Sequence, residues 1–342
     1  MSGLLWTEVL RDVPHDASLA IGLAMEARRA RTWHARLWQV LSSLASKLGG
    51  LGIEVATIKG VTSEQRWYDR LGERPCIDVD LLLGPADIGR LDVIFDLLAP
   101  NHPLRYAAPA LATKGLLQSI ELAVDGVTVD LHFDVFKLGI PCRQRQLLWE
   151  RTAVYHLPDG GTVRVLDPET SLALLLLHLT KNRFRFLLGY VDVARIVERE
   201  DVDWTFLHRF LSREGLETPC LLALEAVAGT LGLAVPRHHL PKTWRSALWN
   251  VLWRPSVRLR GEEGVARYRH RQQLLPLTGR GRGVDQLRLL TRSVFPPRPL
   301  IAYRQPGRSR PYVWRITAGR LWRMYRRQRG DGLSIEPSEG RS

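Results

Sequence analysis

The sequence predicts an α+β protein in which a mixed sheet flanked by helices is followed by a helical domain and a basic C-terminal extension. Three observations support this fold class. Short apolar runs with strand-like character occur between residues 53 and 136, separated by helical segments. From about residue 143 the apolar residues recur at helical spacing. Beyond residue 240 the chain becomes rich in arginine, proline and glycine.

The length and composition predict more than one domain. A chain of 342 residues with 45% hydrophobic content can bury a large core and is longer than most single domains. The predicted segments are an N-terminal helical segment, a mixed-sheet core, a helical domain, a basic extension and a disordered tail, at residues 1–48, 49–150, 151–240, 241–330 and 331–342 respectively.

The net charge of +14 is unevenly distributed along the chain. Residues 241–342 contain 23 Lys and Arg against 6 Asp and Glu, a charge of +17, whereas residues 1–240 contain 26 against 29, a charge of −3. A nearly neutral globular part therefore precedes a strongly basic one. A basic segment of this kind can bind nucleic acid, anionic lipid or an acidic partner.

The three cysteines, Cys76, Cys142 and Cys220, are far apart and form no Cys-x-x-Cys motif. This number and spacing argue against a disulfide framework and against a zinc site. We expect no signal peptide, and the most apolar window, residues 172–179, is too short to span a bilayer. These features together predict a cytoplasmic protein.

The elements of the predicted core follow one another in chain order. A helix over residues 15–48 ends at the glycines of "KLGGLG". The segment "IEVATIKG" (53–60) predicts a strand that runs into a glycine, and "VTSEQRWYDRL" (61–71) predicts a short helix. The segment "IDVDLLLG" (77–84) predicts a second strand. An amphipathic helix, "PADIGRLDVIFDLLA" (85–99), follows with proline near its first turn.

Residues 118–136 predict a β-hairpin. Two alternating runs flank Asp125 and Gly126, and an Asp-Gly pair in this position is a strong hairpin signal. On the second strand the apolar side chains share one face, and the opposite face carries Thr128, Asp130, His132 and Asp134.

The helical region begins with the most apolar helix of the chain. In "LDPETSLALLLLHLTKNR" (166–183), Asp167 is the predicted N-cap and Pro168 the first helical residue. Because this helix is apolar nearly all round, we expect it to be central and buried. Further helices are predicted over residues 186–200, 202–215 and 218–233.

Two carboxylates, Asp78 and Asp80, lie inside the apolar run of the second strand. Residues two apart on a strand share a face, so these carboxylates would lie side by side, opposite Val79 and Leu81. Adjacent carboxylates repel each other unless a cation lies between them, and Mg²⁺ prefers carboxylate oxygens. The alternative is an edge strand with a solvated polar face.

A third carboxylate and several basic residues extend this pattern. Asp130 is on a hairpin strand, and three carboxylates on neighbouring strands can hold two divalent cations, which can stabilise the attacking and leaving oxygens of an in-line phosphoryl displacement. Gly60 at a strand end would allow the backbone to approach a phosphate closely. Lys59 and Arg74 could neutralise triphosphate oxygens.

These motifs together resemble the polymerase-beta-type nucleotidyltransferase superfamily, and within it a poorly characterised bacterial branch of nucleotidyltransferases. Members of that branch carry "LKG…Y…R…DIDLLV", then "VDLHW", then a helix with "LLxLHxxKH" and "WLVDLARL". The resemblance covers roughly residues 50–330, and its tail segment is "LTRSVFPPRPLIAYR" (290–304). The other matching segments are "IKG" (58–60), "WYDRL" (67–71), Arg74 with "IDVDLLL" (77–83), "VDLHF" (129–133), "LLLLHLTKN" (174–182) and "LGYVDVARIV" (188–197).

The resemblance implies a polymerase-beta-like nucleotidyltransferase core at residues 49–150 and a role for each site residue. Asp78 and Asp80 would ligate Mg²⁺ or Mn²⁺ ions that bind the nucleoside triphosphate, ATP among the candidates. Asp130 would complete a second metal site and help to deprotonate the acceptor hydroxyl. Gly60 and Lys59 would line the triphosphate. The chain departs from the superfamily pattern in having valine after this glycine and a longer gap to the first carboxylate.

Other polar residues have both a functional and a structural interpretation. His132 either helps to position the acceptor or a phosphate, or makes an ordinary hydrogen bond to a neighbouring acid. His178 and Lys181, three residues apart on one helix face, either reach the nucleotide or are a satisfied histidine and a lysine that extends to solvent. Arg74 either contacts phosphate or neutralises the carboxylates, and Asp192 is expected to pair with an arginine such as Arg195.

The arginine- and tryptophan-rich segment 312–329 predicts an amphipathic helix in the basic extension. It could dock on the protein with a solvated basic face, lie on an anionic membrane, or bind nucleic acid, the least favoured of the three. A peripheral location at the inner membrane face would follow from the second alternative.

Three functions are consistent with the sequence. The first is a Mg²⁺-dependent nucleotidyltransferase that moves a nucleoside monophosphate from a triphosphate to an unidentified hydroxyl acceptor on a small molecule, sugar, peptide or protein. The second is a non-catalytic nucleotide- or partner-binding accessory protein. The third is a membrane- or nucleic-acid-binding protein that acts through its basic tail.

Overall fold

The structure, a computed structural model, describes residues 17–136, 141–182, 184 and 186–235. The predicted basic extension and tail, with the amphipathic segment 312–329, lie outside the described residues. The helices are α1 (Ala17–Gly50), α2 (Val61–Trp67), α3 (Leu91–Leu98), α4 (Ala108–Thr113), α5 (Arg145–Glu150), α6 (Pro168–Lys181), α7 (Leu187–Arg199), α8 (Trp204–Glu214) and α9 (Glu217–Leu231). The strands are β1 (Val55–Thr57), β2 (Asp78–Leu83), β3 (Ser119–Val124), β4 (Val127–His132), β5 (Ala153–His156) and β6 (Thr162–Val165).

The six strands form one mixed sheet in the order β3-β4-β2-β1-β6-β5. Strand β2 is parallel to β4, and β1 is parallel to β6, whereas the remaining neighbours are antiparallel. Helices precede, interrupt and follow the strands. The α+β fold class predicted from the sequence, with a mixed sheet and a helical region after it, is therefore confirmed.

Strand β2 lies in the interior of the sheet, between β4 and β1. Val79, Leu81 and Leu83 are all buried on one side of the strand. On the other side Asp80 is only 2% exposed. The alternative of an edge strand with a solvated polar face is therefore wrong. Ile77, which the alternation placed on the apolar face, precedes the strand and is 77% exposed.

The predicted hairpin is present as β3 and β4. Asp125 and Gly126 have φ angles of 49° and 76°, so both turn residues adopt positive φ, as in the type I′ turns that suit two-residue hairpins. The guanidinium of Arg36, on α1, donates to the carbonyl of Asp125 at 2.8 Å. The long first helix therefore contacts the end of the hairpin.

Strands β5 and β6 were not predicted, since helical spacing was expected from about residue 143. They form an antiparallel hairpin, and β6 pairs in parallel with β1 so that Thr57 lies beside Val165. Each strand has only four residues. Three of the four in β5 are exposed, and the alternation in β6 is limited to Val163 and Val165. The sheet therefore extends beyond residue 150.

The segment 85–99, predicted as one amphipathic helix, is divided in the structure. A 3₁₀ helix over Pro85–Arg90 precedes α3. The buried side chains Ile88, Leu91 and Phe95 still place the apolar face of both parts toward the core, as the predicted amphipathic pattern requires.

Helix α6 is the centre of the helical region. The carboxylate of Asp167 accepts the N–H of Thr170 at 2.8 Å and Pro168 occupies the first turn, so the predicted cap is confirmed. Nearly every residue of α6 is buried, and its leucines share one hydrophobic cluster with Ala56 and Leu82 of the sheet. Helices α7, α8 and α9 pack against α6. Among the described residues, no helix is long and apolar enough to cross a membrane.

Candidate active site

The parallel pairing of β2 and β4 brings the predicted carboxylates together. In this register Asp80 lies beside Asp130, and Leu82 lies beside His132. Because neighbours in register share a sheet face, and residues two apart on a strand do so too, Asp78, Asp80, Asp130 and His132 lie on one face. Asp80 and His132 are each 2% exposed and Asp130 is 8% exposed. The site is therefore a largely buried group of polar side chains on one face of the sheet.

The Asp80 carboxylate is at the centre of this group. Its Oδ1 lies 2.9 Å from Nζ of Lys59, which follows β1, and 3.1 Å from Nε2 of His132. The same Nε2 lies 3.3 Å from Oδ2 of Asp130. Residues that follow or lie on three adjacent strands thus meet at one carboxylate.

The two carboxylates of β2 differ in their acidity. Burial would raise the pKa of Asp80, but hydrogen bonds from His132 and Lys59, together with the charge of Lys59, outweigh burial and hold the pKa below its ordinary value. Burial, reinforced by the nearby charge of Asp80, raises the pKa of Asp78. Burial would lower the pKa of Lys59, but Asp80 reverses this effect and raises it. The site therefore holds an ionised Asp80 beside a charged lysine at neutral pH.

Gly60 follows Lys59 and lies next to the Asp80 carboxylate. Its φ of 75° and ψ of −120° are disfavoured for residues with a side chain. A Cβ at this position would lie 3.0 Å from Sγ of Cys76 and 3.8 Å from Oδ2 of Asp80. The glycine therefore leaves room beside the Asp80 carboxylate.

Arg74 is buried and pairs with the helical region. Its Nε and Nη2 donate to the two oxygens of Asp192 on α7 at 2.8 and 2.9 Å, and the Tyr68 hydroxyl donates to the same carboxylate at 2.7 Å. Asp192 was expected to pair with an arginine such as Arg195, and it does pair with an arginine; the partner is Arg74, while Arg195 lies over the Tyr68 ring. The main partner of Arg74 is thus Asp192, whose charge it neutralises. A contact between Arg74 and phosphate stays a prediction.

His178 and Lys181 are in the last turns of α6. Nε2 of His178 lies 2.8 Å from the side-chain nitrogen of Asn182. Burial, with the charges of Lys59 and Lys181, lowers the pKa of His178 to about 4. This histidine is therefore neutral at pH 7, and it lies close enough to the site for the charges of Lys59 and Asp80 to affect its pKa. Whether His178 and Lys181 contact a nucleotide stays a prediction.

Sequence reasoning missed the residues that hold the segment between α2 and β2. The buried Glu64 carboxylate accepts the backbone N–H groups of Gly72 and Arg74 at 2.7 and 3.0 Å. Its other oxygen contacts His34 of α1. Asp192, on α7, was expected to pair with an arginine, but Arg74 was not identified as that arginine. Asp192 stands between two valines, which marks it as a charge that needs a partner, whereas Glu64 is flanked by polar residues and carries no such signal.

The donor set of the site suits a divalent cation. Asp80, Asp130 and His132 each offer one ligand atom, and these atoms lie within 4.8 Å of one another. The sequence predicted Asp78, Asp80 and Asp130 as the metal ligands; Asp78 shares their face but is outside this group. Buried carboxylate and imidazole groups of this kind are common metal ligands.

The fold and the site define an α+β protein with a buried carboxylate–histidine centre on a mixed sheet. Residues 7–232 match the family model described as "Uncharacterised nucleotidyltransferase". The chain belongs to this family, which confirms the nucleotidyltransferase resemblance at the level of the family. The assignment to a bacterial branch stays a prediction.

Comparisons with individual proteins add a distant likeness. One match among solved structures is the crystal structure of an antigenic nucleotidyltransferase-like protein from Paracoccidioides brasiliensis. The two chains are 20% identical, with a TM-score of 0.32, and the match covers 55% of this chain and 92% of the other. No curated protein matches the chain.

Proposed function

We propose that the protein is a divalent-metal-dependent nucleotidyltransferase that moves a nucleoside monophosphate from a nucleoside triphosphate to an acceptor hydroxyl. The observation that carries this proposal is the register that places Asp80 beside Asp130 on adjacent parallel strands, with both carboxylates buried. Carboxylates are costly to bury, and two of them held side by side with a lysine and a histidine in contact are a candidate for a functional site. Membership of a nucleotidyltransferase family supports the same chemistry.

The residues that would hold Mg²⁺ or Mn²⁺ are Asp78, Asp80 and Asp130. When bound, the metal ions would neutralise triphosphate charge and stabilise an in-line displacement at the α-phosphorus. The acceptor oxygen forms a bond to this phosphorus, and the bond to the bridging oxygen of pyrophosphate breaks. Asp130 takes the proton of the acceptor hydroxyl.

The remaining residues bind the triphosphate in this proposal. Lys59 supplies a positive charge next to Asp80. Gly60 leaves its backbone exposed to a phosphate because no side chain intervenes. His178, neutral at pH 7, can exchange hydrogen bonds with the nucleotide without adding charge, and Lys181 adds a second cation from the same helix.

Ligand-dependent thermal unfolding tests this proposal without knowledge of the acceptor. The full chain is heated with ATP, GTP, CTP or UTP, each with and without Mg²⁺ or Mn²⁺. A nucleotide at a hundred times its dissociation constant stabilises the folded state by about 2.7 kcal/mol, which corresponds to a shift of several degrees. We expect a metal-dependent shift with at least one triphosphate, and the triphosphate that gives it identifies the preferred base.

The matched variants are Asp80→Asn, which removes a proposed ligand, and Asp92→Asn, which makes the same charge change at an exposed position of α3. Asp80→Asn should lose the shift and Asp92→Asn should keep it. If no triphosphate changes the unfolding temperature with either metal, the enzyme proposal is wrong and a non-catalytic accessory role is favoured. A shift that survives in Asp80→Asn would place the nucleotide elsewhere.

A further inference from the structure

One histidine occupies the position between the two paired carboxylates. Nε2 of His132 lies 3.1 Å from Oδ1 of Asp80 and 3.3 Å from Oδ2 of Asp130. These oxygens belong to different strands, β2 and β4, and all three residues are buried. The imidazole nitrogen therefore faces both carboxylates at once.

The spacing of these atoms fits ligands of one metal ion. Two ligands at about 2.1 Å from an ion and at right angles to each other are about 3.0 Å apart, as in octahedral coordination. In tetrahedral coordination at about 2.0–2.1 Å the separation is about 3.3–3.4 Å. The two distances from Nε2 fall within this range. All three ligand atoms lie within 4.8 Å of one another, so they can converge on one ion.

A hydrogen bond alone accounts less well for the arrangement. One N–H on Nε2 points at one acceptor with good geometry, yet two carboxylate oxygens lie at nearly equal distance. The other ring nitrogen, Nδ1, is buried and makes no hydrogen bond within the described residues. The polar contacts of the ring within the described residues are therefore those of Nε2. A cation bound by Nε2 and by both carboxylate oxygens would satisfy all three atoms at once.

We propose that His132 is a direct metal ligand, so that one ion is held by Asp80, Asp130 and His132. This inference rests on the proposed function and specifies its metal. Mg²⁺ prefers an all-oxygen environment, whereas an imidazole ligand favours first-row transition ions. The site therefore selects Mn²⁺, or another first-row transition ion, over Mg²⁺.

Pulsed electron paramagnetic resonance of Mn²⁺ bound to the full chain tests the proposal without a nucleotide or an activity assay. A directly bonded nitrogen modulates the electron spin echo, and labelling the histidines with ¹⁵N changes that modulation in a defined way. We expect the nitrogen modulation in the wild-type protein and its loss in His132→Gln. Loss of the imidazole should also weaken Mn²⁺ binding by roughly tenfold or more, the scale of a disrupted metal site.

Two other histidine variants make the assignment specific. His156→Gln, on the exposed strand β5, should keep the nitrogen modulation. Modulation that disappears in His178→Gln and persists in His132→Gln would overturn the proposal. A substitution by aspartate, His132→Asp, should bind Mn²⁺ without nitrogen modulation and should narrow the preference for Mn²⁺ over Mg²⁺, because the ligands are then all oxygen.

The outcome separates this inference from the proposed function. Mn²⁺ that binds in an Asp80-dependent manner without nitrogen modulation overturns the histidine ligand and leaves the nucleotidyltransferase proposal intact. Nitrogen modulation without any nucleotide-dependent shift supports the ligand and contradicts the enzyme. If Mn²⁺ does not bind at millimolar concentration, the inference is wrong, and the nucleotide test with Mg²⁺ is read independently.

Discussion

The buried pair of Arg74 and Asp192 should be essential to the stability of the contact between the sheet and the helical region. Both side chains are buried, the guanidinium donates to both carboxylate oxygens, and Tyr68 adds a third hydrogen bond. Removing one partner of a buried ion pair costs about 3–5 kcal/mol, because the other charge is left uncompensated. Asp192→Ala should therefore lower the free energy of unfolding by about 3–5 kcal/mol. Tyr68→Phe should cost less, about 1.5–3 kcal/mol, since it removes one hydrogen bond to a charged group.

Urea unfolding followed by tryptophan fluorescence measures these changes. The control is Asp201→Ala, at an exposed position two residues before the cap of α8, which should change stability by less than about 0.5 kcal/mol. The double replacement Arg74→Met/Asp192→Leu should cost less than the sum of the single changes, because it leaves no buried charge. An Asp192→Ala protein that loses less than about 1 kcal/mol would refute the reasoning, since a buried guanidinium cannot lose its partner at so small a cost.

Two further predictions concern the site. Gly60→Ala should destabilise the protein by about 1–3 kcal/mol through backbone strain, and further through the close contact with Cys76. It should also abolish the metal-dependent nucleotide shift. The control is Gly126→Ala, because Gly126 also has positive φ but nothing within 4 Å of its Cβ, so this variant should show the strain alone. Equal losses of stability in urea unfolding would argue against the contact with Cys76. His178, whose pKa of about 4 is below its unfolded value of about 6.5, binds fewer protons in the folded state between these pH values. Stability should therefore fall as pH drops from 6.5 to 4, and His178→Gln should reduce this slope; an NMR titration of the ring with a pKa near 6.5 would contradict the assignment.

Local patterns in the sequence were sufficient for the elements that depend on neighbouring residues. The Asp125-Gly126 turn and the Asp167 cap of α6 are where they were predicted, because each depends on a few consecutive residues. The alternation along β4 likewise placed Asp130 and His132 on one face. The resemblance to nucleotidyltransferases also rested on such short motifs, and the family match agrees with it.

Other features depended on contacts between residues far apart in the chain. The register that pairs Asp80 with Asp130 follows from the packing of β2 against β4, and it is this pairing that places His132 among the carboxylates. The alternation of a sequence shows which side chains share a face of a strand. It does not determine which strand lies next to it or in what register the two strands pair.

What the sequence by itself determined was thus the α+β class, the hairpin, the buried helix and the residues of the acidic face. Tertiary structure alone decided that β2 is an interior strand, that β5 and β6 extend the sheet, and that Arg74 pairs with Asp192. The physical reason is common to all three. Where the local sequence carries no strong signal, the position of a strand or side chain is decided by burial and by its partners in the folded protein. These partners are distant in sequence.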